Sequence, residues 1–373
     1  PTTASTSAPK TRKANPPEKM ADSRHQPSLT EVRAQHVLDL GRLADYFSQH
    51  LPQFPGALSA RQFKDGQSNP TYLLASGGQN FVLRKKPPGD LLPGAHRIER
   101  EFRIISALAD HGVPVPDALH LCEDDTIIGT PFYVMAHVEG GVCQDPALPG
   151  MAPDERSAIY ADMANVMAQL HGIDWKAAGL SDYGKHENYI ARQIALWSRQ
   201  YEAAKTGVIA EMDALMRWLP ENIPPGDETC LVHGDFRLGN LILDPEAARI
   251  AAVLDWELST LGHPLTDLAY NCLPYYLPAG EDAVLPGIAG ADLDALGIPS
   301  EDAHIGAYCR AAGRADGIAD WSFYITFSMF RLASIAQGVY ARALQGNASS
   351  AKAKDYDKRA IKLAKIAWAL QAG

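Results

Sequence analysis

The chain has 373 residues, 46% of them hydrophobic, enough to fill two cores rather than one. Its net charge of -10 argues against a nucleic-acid partner, because phosphate backbones are held by clustered Lys and Arg; its apolar runs also fall short of the roughly 18 residues that a transmembrane helix needs. The five cysteines, Cys122, Cys143, Cys230, Cys272 and Cys309, are scattered and form no C-x-x-C pair, which indicates neither a zinc site nor a disulfide framework and suits a reducing cytoplasm.

Residues 1–28, rich in Pro, Ser, Thr, Ala, Lys and Arg, cannot build a core and read as a flexible tail. Val37, Leu40, Leu43 and Phe47 then recur at helical intervals up to Pro52. Three strands follow, at 60–63, 71–75 and 80–84, with turns at 65–70 and 76–79. Strand alternation puts Val82 and Arg84 on one face and Leu83 and Lys85 on the other. A helix from about His96 to Ala109 carries Ile98, Phe102, Ile105 and Leu108 on its apolar side, with Glu101 in its middle turns. The segment from Val113 to Pro116 opens the next strand, and Pro131 to Val138 reads as the last one before Glu139-Gly140-Gly141 breaks the pattern. Beyond this point the periodicity is mostly helical, at 154–171, 189–201, 322–344 and 352–365. The expected division is therefore a sheet unit at 29–137 and a larger helical unit at 138–373.

The most informative stretch runs from Cys230 to Tyr270. Two short apolar runs, Leu241 to Leu243 and Ile250 to Leu254, flank Asp244 to Ala248 and read as a hairpin. Asp235 and Asn240 lie just before its first strand and Asp255 just after its second, so all three side chains can meet at one open end. Three oxygen-bearing groups there suit a hard divalent cation and a hydroxyl. Cys230, beside this segment, reads as a small buried apolar residue.

The pattern HGD-x-x-x-x-N followed by D-W-E resembles the catalytic segment of the aminoglycoside phosphotransferase and choline kinase families, a branch of the protein-kinase-like fold. The resemblance implies a two-lobed α+β protein that uses ATP and Mg²⁺, with Asp235 as the catalytic carboxylate and Asn240 and Asp255 as metal ligands. It also assigns nucleotide contacts. Arg84 takes the place of the kinase strand lysine and Glu101 pairs with it; Gly66 and Ser68 belong to the turn that covers the nucleotide, and backbone groups from Met135 to His137 meet the adenine. Asp267 would brace the catalytic loop, and His171 would cap or pack. The stretches AHRIEREFRIISAL, GLSDYGKHENYIARQIALW and FRLASIAQGVYAR resemble the phosphotransferase domains fused to acyl-CoA dehydrogenases, which implies a hydroxyacyl-CoA as the small-molecule hydroxyl acceptor. Aminoglycosides stay open as acceptors, and so does a choline-type amino alcohol held in an aromatic cage of Trp197, Tyr201, Trp321 and Tyr324. A nucleotide-binding pseudokinase module is the remaining alternative, and the complete Asp235, Asn240 and Asp255 set argues against it.

Overall fold

A computed structural model of the chain describes residues 28–54, 56–64, 69–87, 97–279, 286–345 and 351–372. The expected tail up to residue 27, and the turn residues Gly66 and Ser68, lie outside them. The first part of the chain builds one antiparallel sheet from β1 (Leu29–Thr30), β2 (Ser59–Phe63), β3 (Thr71–Ser76), β4 (Gln79–Lys85), β5 (Ala118–Cys122) and β6 (Phe132–Ala136), in the order β1-β2-β3-β4-β6-β5. Gly77 and Gly78, at φ +56° and +80°, make the two-residue turn that joins β3 to β4, a conformation that suits the twist of paired strands.

The period-2 alternation of β4 and β6 divides the sheet between two cores. Phe81, Leu83, Phe132 and Val134 pack with Leu43 and Phe47 of α1 (Leu40–His50). Val82, Tyr133 and Met135 join the larger core, together with Ile98, Ile104, Ile105 and Leu108 of α2 (Ile98–Leu108). Arg84 therefore emerges on the α2 side, while Lys85 turns to the α1 side with its Nζ 5.7 Å from the centre of the Tyr72 ring.

Element boundaries depart from the sequence reading where local chemistry intervenes. α1 starts at Leu40 because Asp39 caps it, accepting from the Arg42 amide at 3.0 Å, and Val37 is left 66% exposed. β5 begins only at Ala118; Pro114 and Pro116 cannot donate to a ladder, and the Pro114 carbonyl instead accepts from the Val253 amide at 2.8 Å. β6 ends at Ala136, and Gly140 follows at φ +140°, where a side chain would run into the Leu243 carbonyl at 2.2 Å.

The remainder is mainly helical. α3 (Pro153–His171), α4 (Tyr189–Ala204) and α5 (Ala210–Glu221) precede β8 (Cys230–Val232). After the connection, β7 (Gly141–Val142) adds to the hairpin of β9 (Leu241–Leu243) and β10 (Ile250–Val253), and β8 pairs with β11 (Thr260–Gly262). Then come α6 (Pro264–Cys272), the short α7 (Leu293–Leu296), α8 (Glu301–Ala311), α9 (Trp321–Leu344) and α10 (Tyr356–Ala372). α10 extends beyond the expected Lys365 because Ala360, Leu363, Ala364 and Ala367 are all buried in the larger core. Among the described residues no helix is long and apolar enough to cross a membrane.

Candidate active site

The loop between β8 and β9 is held from several sides. Asp267, on α6, accepts from the backbone amides of His233 at 2.5 Å and Gly234 at 2.8 Å. Gly234 has φ +85°, and a Cβ there would meet the Leu258 carbonyl at 2.8 Å, so the turn needs glycine. His233 ties the two ends of the hairpin together: its Nε2 donates to the Leu254 carbonyl at 2.8 Å, and its Nδ1 accepts from the Asp235 amide at 3.1 Å. A carbonyl only accepts and an amide only donates, so the ring carries its hydrogen on Nε2.

Asp235, with its side chain 18% exposed, faces the open end. Its carboxylate accepts from Asn240 Nδ2 at 2.8 Å and lies 3.4 Å from Arg237 Nε. Burial, and then the charge of Asp235, push the Tyr270 phenol well above its ordinary value. Asn240 spends its amide hydrogens on Asp235, which leaves its Oδ1 as the ligand-capable atom. Asp255 follows β10 in the left-handed region, at φ +66° and ψ +58°, a strained position for a residue with a Cβ and one that recurs at functional sites.

Arg84 links Asp255 to the sheet. Its NH2 is 2.8 Å from Asp255 Oδ1 and 3.8 Å from Glu257, and its Nε is 2.7 Å from Glu101 Oε2. That last contact is close in distance but too bent for a hydrogen bond, so Nε has charge contact without alignment. Burial pulls the guanidinium down, and Glu101, Tyr133, Asp255 and Glu257 outweigh it and hold it charged. Glu101 is 2% exposed and accepts from Asn69 Nδ2 at 2.8 Å and from the Tyr133 hydroxyl at 3.2 Å. Lys86 is engaged elsewhere, 3.3 Å from Glu99.

The structure thus brings Asp235 to Asn240 and Arg84 to Asp255 and Glu101, and the Leu254 amide, donating to the Asn240 carbonyl at 2.8 Å, joins the two groups. Met135 pairs with Val82 and Ala118 within the sheet, and His137 is the first residue beyond β6, with Nδ1 3.3 Å from Glu139. His171 does more than cap its helix: Nδ1 meets the Tyr308 hydroxyl at 2.8 Å and Nε2 lies 3.5 Å from Asp267. The aromatic cage does not form as one group. Trp321 donates to Glu301 at 2.8 Å and Tyr324 stacks on His263, whereas Trp197 lies over Arg331 and Tyr201 over Lys205.

Two contributors carry no sequence signal of their own: Asn69, in the turn expected to cover the nucleotide, and Tyr133, in what reads as plain strand. Arg331 does carry one, a charge in the middle of a long apolar helical run, but the signal does not point to the catalytic loop.

The donors fit a hard cation. Asn240 and Asp255 offer oxygen alone, and among the described residues no group of three or more His, Cys, Asp or Glu forms a metal site by itself. Two oxygen donors fit a hard cation such as Mg²⁺, which keeps waters and takes few protein ligands when phosphate oxygens complete its shell.

Residues 59–297 match the phosphotransferase enzyme family. This chain belongs to that family. It is an enzyme of the phosphotransferase type. It is 50% identical to acyl-CoA dehydrogenase family member 10 of Mus musculus over 84% of its length and 46% identical to family member 11 of Gallus gallus over 91%. The chain spans only 29% and 44% of those two relatives. A candidate aminoglycoside phosphotransferase from Ralstonia eutropha, known as a crystal structure, is 47% identical with a TM-score of 0.82, covering 90% of this phosphotransferase and 99% of that chain. The aminoglycoside phosphotransferase APH(4)-Ia, solved with ADP and hygromycin B, shares the fold at 16% identity, with a TM-score of 0.60 over 90% of this chain and 99% of its own.

Proposed function

We propose that this phosphotransferase moves the γ-phosphoryl group of ATP, with Mg²⁺, to a hydroxyl of a small molecule whose best candidate is a hydroxyacyl-CoA. The observation that carries the reading is the meeting of Asp235, Asn240 and Asp255 at the open end of one hairpin, beside the Arg84–Glu101 pair. In this reading Asp235 orients the acceptor hydroxyl and takes its proton. Asn240 Oδ1 and the Asp255 carboxylate hold the metal, which when bound neutralises charge on the phosphate oxygens. Arg84, steered by Glu101, meets the α- and β-phosphates; its planar fork can do so bidentately. Backbone groups of Met135 and His137 take the adenine. A cytoplasmic location suits five cysteines that are all free and buried.

The acyl acceptor draws support from the identity to the acyl-CoA dehydrogenase family members. The test is ADP release by the purified chain with Mg-ATP and a panel of hydroxyacyl thioesters, aminoglycosides and amino alcohols. Stimulation confined to the aminoglycosides would replace the acyl reading, and absence of Mg-dependent ATP binding would sink the transfer itself.

The two faces of β4 give a sharper check. Arg84→Met should weaken Mg-ATP binding by about tenfold or more, roughly 1.4 kcal/mol, in calorimetry. Lys85→Met, on the opposite face, should stay within about threefold of wild type. The reverse order would show that the phosphate-binding cation is Lys85.

A further inference from the structure

Arg331 stands in the interior of α9 and is 8% exposed. Among the described residues its recorded partners are a carbonyl and two aromatic rings rather than a carboxylate. Its NH2 donates to the Gly234 carbonyl at 2.7 Å, and its guanidinium carbon lies 5.5 Å from the ring centres of both Trp197 and Tyr270. Its Nε is buried with no hydrogen-bond partner. Keeping such a charge in a core is unfavourable unless something depends on it.

What depends on it is one residue away. The Gly234 peptide groups are gripped from two helices, the amide by Asp267 of α6 and the carbonyl by Arg331 of α9. Arg331 also packs over the ring of Tyr270, 5.5 Å from its centre. A direct route therefore runs from this guanidinium to Asp235, through the Gly234 carbonyl and the backbone bonded to it. We propose that Arg331 is a positioning residue for phosphoryl transfer, which sets the direction of Asp235 and ties it to α4 through Trp197. The inference rests on the reading that Asp235 acts on the acceptor hydroxyl.

Misplacing a catalytic group by a fraction of its reach costs rate more than affinity. Arg331→Met keeps length and packing but removes the donors and the charge, whereas Arg331→Lys restores a charge and a donor. With Mg-ATP and water as acceptor, Arg331→Met should lower the kcat for ADP formation by about 10- to 100-fold, with KM for ATP within about threefold. Arg331→Lys should recover most of that loss. Amide exchange at residues 234–239 should rise at least about tenfold in Arg331→Met, with exchange in β2 to β4 unchanged. Unchanged exchange in this loop, or a kcat that falls only with the folded fraction, would overturn the proposal. Should the wild-type chain hydrolyse no ATP with water, turnover is read with the acceptor that stimulates ADP release, and loop exchange decides for or against Arg331; absence of Mg-dependent ATP binding is the separate result that sinks the transfer reading.

Discussion

Asp235→Asn should lower kcat by about 10²- to 10⁴-fold, a barrier increase of roughly 2.7 to 5.5 kcal/mol, while the calorimetric affinity for Mg-ATP changes by less than about threefold. The size follows from what the substitution removes and what it leaves. The Asp235 backbone amide remains on His233, and an amide side chain can still face Asn240, so the loop keeps its shape. The proton acceptor is lost, and so is the negative charge that Arg237 meets at 3.4 Å. Steady-state turnover with a verified acceptor and calorimetry on the same preparation separate the two quantities. Near-full turnover would remove Asp235 from the chemistry, and a large loss of ATP affinity would place it among the metal ligands.

Much of this site is legible because its parts are local. The hairpin is written in two apolar runs around Asp244, whose Oδ1 accepts from the Glu246 and Ala247 amides and closes the turn within the run itself. The choice of Arg84 over Lys85 needs only the period of a strand, and the structure sends the two side chains to opposite faces. What stays hidden is set by contacts distant in the chain. Asn69 is fully buried because it bonds to Glu101, 32 positions later, and no turn statistic distinguishes it from an exposed Asn. Arg331 meets Gly234 across 97 positions, and nothing in the sequence of its helix names that partner. The four aromatic residues of the expected cage share a plausible composition, yet Trp321 and Tyr324 serve Glu301 and His263 instead, since which rings converge depends on helix packing and not on their spacing.

The brace beneath the loop carries the second large effect. Asp267 is 1% exposed, and its two oxygens receive the His233 amide, the Gly234 amide and a close approach from His171. Even the isosteric Asp267→Asn turns a donor toward donors, and Asp267→Ala leaves two buried amides without acceptors. Orphaned buried groups of this kind cost about 1 to 3 kcal/mol each, so Asp267→Ala should destabilise by about 3 to 5 kcal/mol. At roughly 2.1 cal/mol/K per residue, a chain of 373 residues should lose about 4 to 6 °C in Tm. The sign of its pH dependence is also determined. Burial alone would raise the Asp267 carboxyl, but hydrogen bonding and charge from His171, with His233 and the Gly234 amide, bring it below its ordinary value of 3.8. A depressed folded value means the native state binds fewer protons than the unfolded one, so this contribution is complete above pH 3.8 and is lost as pH falls through the folded value. Thermal unfolding of wild type and Asp267→Asn should therefore show a gap that is constant near neutrality and narrows on acidification below about pH 4. A gap that widened there would mean that the carboxyl is already protonated in the native protein, and that the loop is held by a neutral acid.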